Sequence, residues 1–101
     1  MATLHEVVQA ATEKYAVKGV NFESVLTSSP DGKMLTVVDI AIDNQGRRFT
    51  ATSLIVRIVG EHVVIEHDDN DKPLVDALLQ AGVPRSQIIL AYAGEPLPAV
   101  A

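Results

Sequence analysis

Apolar and polar residues alternate with a period of two through the middle of this chain, and short turn-forming sequences interrupt the alternation. A period of two places successive side chains on opposite faces of a β-strand, so each uninterrupted run predicts one strand. The turn sequences are SSPDGK at residues 28–33, NQG at residues 44–46 and GE at residues 60–61. Strands joined by such tight turns pair with their neighbours, so the four runs predict a four-stranded antiparallel meander.

The third run, residues 47–59, changes phase in its middle, because the apolar parity at Phe49 differs from that at Leu54. One extra residue in a strand produces this shift, so we expect a β-bulge near Ala51 to Ser53. Gly60 and Glu61 fit a two-residue hairpin loop with glycine in the first position.

A helix is expected before the strands, over residues 3–16. Its apolar residues have the spacing of one helical stripe, and they are Leu4, Val7, Val8, Ala11 and Tyr15. Thr3 and Glu6 form a T-x-x-E capping box, and Gly19 is the expected terminator.

A second helix is expected behind the fourth strand. Pro73 suits its first turn, and either Asn70 or Asp71 is the expected cap. Gly82 fits the left-handed position after the helix, where Val83 would complete a Schellman motif.

Residues 88–92 predict a final strand, which lies against the first helix or inside the sheet. The expected fold class is therefore α+β, with an N-terminal helix, a four-stranded antiparallel meander, a second helix and a final strand. We expect one domain over residues 1–101, in which residues 93–101 form an extended tail rich in proline and small residues.

The charge balance bears on the partners that the chain can bind. The chain has 13 acidic and 8 basic residues and a net charge of −5, so its field repels a phosphate backbone and direct nucleic-acid binding is not expected. No apolar stretch approaches the length of a spanning helix, so no membrane is expected as a partner. The chain has no cysteine, which fits a cytoplasmic location.

The sequence EHDDND, residues 66–71, is the densest polar stretch and the candidate metal or acid-base site. An EF-hand loop is not indicated, because the required glycine is missing. Glu66, His67 and Asp69 could bind a transition metal, but adjacent strand residues point to opposite faces. Acidic residues before a helix ordinarily cap it, so we interpret the stretch as a capping turn and expect no metal, no cofactor and no catalytic residue.

Three segments of the chain resemble a known family. The segments are NQGRR, then VGEHVVIEHDDND, then LVDALLQAGVPRSQIILAY, of which AGVPRSQIILAY is the most specific. They resemble the XisI family, the fdxN element excision controlling factors found mainly in cyanobacteria. The chain is a divergent relative, since it has no Trp and Val64 stands where the family's hairpin strand carries one.

The resemblance implies a small non-enzymatic accessory protein that assists a site-specific recombinase together with a nuclease-like companion, XisH. Because the chain is acidic, we expect it to bind such a basic DNA-processing protein rather than DNA. The residues expected to contact the partner are Arg47, Arg48, Glu66, Asp68, Asp69 and Asp71.

Two other functions stay open from the sequence. One is a small metal-dependent hydrolase that uses His67 with Glu66 and Asp69, and the other is a small-ligand binder whose pocket opens between helix and sheet. A homodimer is also expected, because two-fold association is the commonest assembly and a meander leaves a strand edge to cover.

Overall fold

The structure, a computed structural model, describes residues 2–97. Helix α1 spans Leu4–Glu13 and helix α2 spans Leu74–Gln80. The strands are β1 (Lys18–Gly19), β2 (Phe22–Ser28), β3 (Met34–Ile42), β4 (Arg48–Val59), β5 (His62–Asp68) and β6 (Ile88–Leu90). Two short 3-10 helices, Arg85–Gln87 and Ala91–Ala93, flank β6.

All six strands form one sheet in the order β1-β2-β3-β4-β5-β6. The α+β class and the central antiparallel hairpins are confirmed, but a four-stranded meander is not exact. Strand β1 adds two residues at one edge, and β6 pairs parallel to β5 at the other. Strand β1 is not predicted from the sequence because two residues are too few to show a period. Strand β6 can run parallel to β5 because the connection between them contains helix α2.

Two β-bulges interrupt the ladders. Val37 pairs with Leu54 and Val38 with Thr52, so Ser53 is the extra residue and the predicted bulge in β4 is confirmed. A second bulge in β5 lies at Glu66, because Ile55 pairs with His67 while Val56 pairs with Ile65. Bulges re-aim side chains, so Ser53 and Glu66 leave the regular alternation of their strands.

The capping box of α1 is confirmed, since Thr3 and Glu6 exchange two hydrogen bonds of 3.1 Å. The predicted end of this helix is wrong. The helix ends at Glu13 rather than Ala16, and Gly19 lies in β1, where it pairs with Phe22. A side chain at residue 19 would collide with the Phe22 ring. Glycine at this position therefore allows the Phe22 ring to pack against the backbone and does not end the helix.

The predicted cap of α2 is also wrong, because neither Asn70 nor Asp71 caps the helix. The Leu74 N–H donates to the Asp68 carboxylate at 2.7 Å instead. The predicted C-terminal motif is confirmed: Gly82 has a φ of 94°, its N–H donates to the Leu79 carbonyl, and the Val83 N–H donates to the Leu78 carbonyl.

The hydrophobic core lies between one face of the sheet and the two helices. Its fully buried members come from both layers, including Leu35, Leu54, Val56, Leu74 and Leu78. On the opposite face, the 3-10 helix Ala91–Ala93 contacts β5 beside the buried residues Val64 and Ile89.

The expected extended tail, residues 93–101, falls partly outside the described residues, which end at 97. Within the described part, Gly94 has a φ of 87° and the Glu95 N–H donates to the Leu90 carbonyl, so the chain turns back on β6. Between residues 2 and 97, no helix has both the length and the apolar character needed to cross a membrane.

Candidate functional site

The acidic stretch at residues 66–71 spans the end of β5 and the connection to α2, and most of its side chains bind within the fold. Glu66, at the β5 bulge, forms an ion pair with Arg57 of the neighbouring strand, with Oε2 at 2.6 Å from Arg57 Nη2 and 2.8 Å from its Nε. Two contacts from one guanidinium fix both side chains in orientation. Both are only about one-third exposed, at 33% and 36%.

Asp68 is the structural centre of this connection. Its Oδ1 accepts hydrogen bonds from the Asn70 backbone N–H at 3.0 Å and from the Asn70 side chain at 2.9 Å. Its Oδ2 accepts the Leu74 N–H, so one carboxylate organises the turn and starts the helix.

His67 and Asp69 form a pair at the surface. His67 Nε2 lies 2.9 Å from Asp69 Oδ2 and 3.0 Å from the Thr52 carbonyl oxygen. Both neighbours are acceptors, so Nε2 carries the proton and donates to them. Glu66 bonds to Arg57 instead, and between residues 2 and 97 no three metal-binding side chains lie together.

Asp71 is exposed, and so is Asp76 in the first turn of α2. Arg47 lies at the far end of the sheet, where its Nε contacts Asp43 Oδ2 at 3.0 Å. Arg48 is also far from the acidic stretch. Asp68 pairs with Leu54 of β4, and Arg48 lies six positions before Leu54, which corresponds to about 20 Å along the strand. The structure thus brings the four acidic residues Glu66, Asp68, Asp69 and Asp71 together and places the Arg pair apart from them.

A row of polar side chains crosses three neighbouring strands on the helix side of the sheet. Ser24 Oγ donates to Asp39 Oδ1 at 2.7 Å, and Ser53 Oγ lies 3.4 Å from the same oxygen. Beside each member along its strand stands an apolar residue of the core face: Leu26, Val37 and Leu54. The core therefore stops at this row.

A cavity of about 530 Å³ opens over two members of the polar row, Ser24 and Asp39. Its walls come from the end of α1, from α2 and from the β5–α2 connection, and they include Ala11, Tyr15 and Ala77. The Tyr15 hydroxyl donates to the Lys72 carbonyl oxygen and so ties this connection to α1. Burial, and then the charges of Asp68 and Asp76, raise the pKa of the Tyr15 phenol, which therefore keeps its proton at neutral pH.

Ser24, Asp39 and Ser53 are not among the candidate residues predicted from the sequence. The sequence contains no clear signal for them, because Asp39 shares its parity with Asp43 and the opposite parity of this run is more apolar. The structure shows that the parity of Leu35 and Val37 faces the core. A charged residue on the core-facing parity of a strand needs a partner or an opening to solvent. The row itself was not visible, because its members are 14 or 15 positions apart and the bulge moves Ser53 into it.

Two solved structures share the fold of this chain, and one family model matches its sequence. A comparison with curated protein sequences finds no match. Two crystal structures from Anabaena variabilis ATCC 29413 share the fold. One is a XisI-like protein, with 19% identity, a TM-score of 0.73, and coverage of 85% of this chain and 81% of that chain.

The other is the fdxN element excision controlling factor XisI, with 21% identity, a TM-score of 0.67, and coverage of 87% of this chain and 88% of that chain. The family model described as XisI protein matches residues 2–97 of this chain. Because that match covers nearly the whole sequence, the chain belongs to the XisI family.

Proposed function

We propose that this chain is a non-enzymatic accessory protein that controls the excision of a DNA element by binding a basic DNA-processing protein. The candidate partners are a XisH-like nuclease and a site-specific recombinase. Support for excision control comes from the family, one of whose members is named as an fdxN element excision controlling factor. Support for binding through protein contacts comes from the charge of this chain, which is −5.

The single observation that carries the proposal is a group of acidic side chains that face solvent beside the structural turn. We define the acidic surface as Asp69, Asp71 and Asp76. Asp69 is 68% exposed, and Asp71 and Asp76 are exposed as well. Asp68 and Glu66 lie beside this surface, but their carboxylates already bind the helix start and Arg57.

Such a surface suits a basic partner better than it suits DNA. Opposite charges increase the rate of association and orient the two proteins, whereas a phosphate backbone is repelled. The tie between Tyr15 and Lys72 and the capping by Asp68 hold the connection in place. A fixed connection loses less conformational freedom on binding.

Capture and charge reversal test the proposal together. The tagged chain is used to retain proteins from its native host, and mass spectrometry identifies them. Binding of the purified candidate is then measured by calorimetry for wild type and for the triple variant D69K/D71K/D76K. We expect the triple variant to lose binding, and the wild-type complex to weaken as salt rises.

The matched control is E13K/E23K/E61K, which makes the same change in net charge at three exposed sites that are not part of the acidic surface. This control should bind almost as the wild type does. Equal binding by both triple variants would contradict the proposed surface. If the tagged chain retains only DNA, and nuclease treatment removes it, the proposed binding to a protein partner would be contradicted.

A further inference from the structure

The polar row lies on the core-facing side of the sheet, where most residues are apolar. Ser24, Asp39 and Ser53 come from three adjacent strands and lie on the face that elsewhere forms the core. A half-buried carboxylate in this position opposes folding unless polar groups or a ligand compensate it. Asp39 has Ser24 as such a polar partner, and it also lines an open cavity that a ligand can enter.

The hydrogen bonds of Asp39 leave one side of the carboxylate available. Ser24 donates to Oδ1 at 2.7 Å, and Ser53 lies 3.4 Å from that same atom. Among residues 2–97, no hydrogen bond to Oδ2 is found. The Ser24 hydroxyl orients the carboxylate through Oδ1, while Ser53 lies equally close, at 3.4 Å, to the Val37 carbonyl oxygen. The second carboxylate oxygen stays free to accept from a ligand.

The cavity matches a side chain with an apolar stem and a charged end. At about 530 Å³ it is large enough for an arginine or lysine side chain. Ala11, Val17 and Ala77 supply apolar wall, and the Tyr15 ring lines the same space. A cavity that contains both an aromatic ring and a carboxylate is a favourable setting for a guanidinium group.

Three charged residues besides Asp39 line the cavity, and they are Lys14, Asp71 and Lys72. The ammonium groups are donors only, so they require an acceptor on the ligand. A peptide main chain provides such acceptors, because its carbonyl groups flank the side chain that enters the cavity. The two lysines can therefore bind the main-chain carbonyl groups of a peptide whose basic side chain reaches Asp39.

We propose that this cavity is a binding site for a guanidinium or ammonium group, with Asp39 as the anion that receives it. The inference rests on the proposed function, because it identifies the ligand as a basic side chain of the partner protein. It also deepens that function, since the acidic surface attracts the partner and the cavity binds one residue of it.

Titration of the isolated chain tests the site without the partner. Amide spectra of the ¹⁵N-labelled protein are recorded with N-acetyl-arginine methylamide and with the norleucine analogue, which has no charge. We expect saturable shifts at the amides of Asp39, Ser53 and Asn70 with the arginine compound only. Asp39→Asn should reduce its affinity about tenfold or more.

Glu23→Gln is the matched control, because it removes one exposed carboxylate from the neighbouring strand β2. The control should bind as wild type does. If Asp39→Asn does not give a folded spectrum, Ala77→Leu fills the cavity while it keeps the carboxylate, and the same loss of affinity is expected. Absent shifts, or shifts that Asp39→Asn leaves unchanged, would overturn the site.

The outcomes separate the site from the proposed function. A partner that binds through the acidic surface, without arginine binding in the cavity, would refute the cavity site alone. Arginine binding at Asp39 without any partner would refute the proposed function. It would support a site for a free guanidinium compound, for which agmatine is the next probe.

Discussion

The carboxylate of Asp68 starts helix α2 from six positions away, because it accepts the backbone N–H of Leu74 at 2.7 Å. The residue directly before the helix is Pro73, which has no side-chain hydrogen bond to offer. Asp68 therefore joins the last residue of β5 to the first residue of α2, and it fixes the acidic connection between them.

Removal of this cap should destabilise the protein. Asp68→Ala deletes an acceptor for three hydrogen bonds and should lower the free energy of unfolding by about 1–3 kcal/mol. Asp71→Ala, at an exposed position three residues later, should change it by less than about 0.5 kcal/mol. Urea unfolding of both variants measures the difference, and equal values would show that the cap is not needed.

The C-terminal segment should loosen in acid. The Leu90 N–H and then the Arg85 side chain lower the pKa of Glu95 below its ordinary value of 4.5. Because the folded-state pKa is depressed, the stabilisation is complete above pH 4.5 and is lost as the pH falls through the folded value.

Thermal unfolding from pH 7 to pH 2 checks this for wild type and Glu95→Gln. The wild type should unfold at a higher temperature than Glu95→Gln at neutral pH, and this difference in unfolding temperature should shrink once the pH is below 4.5. A difference that stays constant with pH would contradict a role for the Glu95 charge.

Deletion of Ser53 should leave the sheet in register. Ser53 is the extra residue between two pairs, Val37 with Leu54 and Val38 with Thr52, so its removal leaves a regular ladder. Deletion of Ile55, by contrast, puts the following residues of β4 on the wrong faces and should abolish folding. Circular dichroism and amide spectra distinguish the two deletions.

The Ser53 deletion should still alter the acidic connection. The Ser53 carbonyl oxygen accepts the Asp69 N–H at 2.9 Å and the Asn70 side chain at 3.2 Å. Faster hydrogen exchange at Asp69, with the core amides unchanged, is the expected result. Unchanged exchange at Asp69 would show that Ser53 does not hold the connection.

We expect a homodimer through the outer edge of β2. Strand β1 pairs only with Phe22 and Glu23, so among the described residues the edge from Val25 to Ser28 has no neighbouring strand. Lysine on an edge strand opposes edge-to-edge pairing, and Val25→Lys/Thr27→Lys should convert the dimer to a monomer. Thr50→Lys, at an exposed site on β4, is the control.

Light scattering coupled to size exclusion measures both masses. A wild-type monomer would refute the dimer. A dimer that persists in the double variant would show that the outer edge of β2 does not form the dimer contact.

The local motifs could be predicted from the sequence because each depends on residues close together in the chain. Fewer than seven consecutive residues are enough to predict each of three motifs: the capping box at Thr3, the bulge at Ser53 and the Schellman motif at Gly82. Backbone geometry limits such motifs to a few residue types, and these types occur at the expected positions.

The remaining features depend on contacts that sequence spacing does not show. The cap by Asp68 spans six residues instead of two or three, and it requires the turn that Asn70 closes. The parallel pairing of β6 requires that α2 returns the chain across the sheet. Asp39 becomes a candidate site only when two strands and two helices place a cavity above it.

The parallel pairing of β5 with β6 has a consequence for synthesis on the ribosome. Loops of two to five residues join β2 to β5, so those strands can pair as soon as they leave the exit tunnel. Strand β6 begins 20 residues after β5 ends, so the edge of β5 stays open until those later residues have been translated. The nascent chain is therefore most vulnerable to misassociation along β5, during the interval before Ile88–Leu90 emerge.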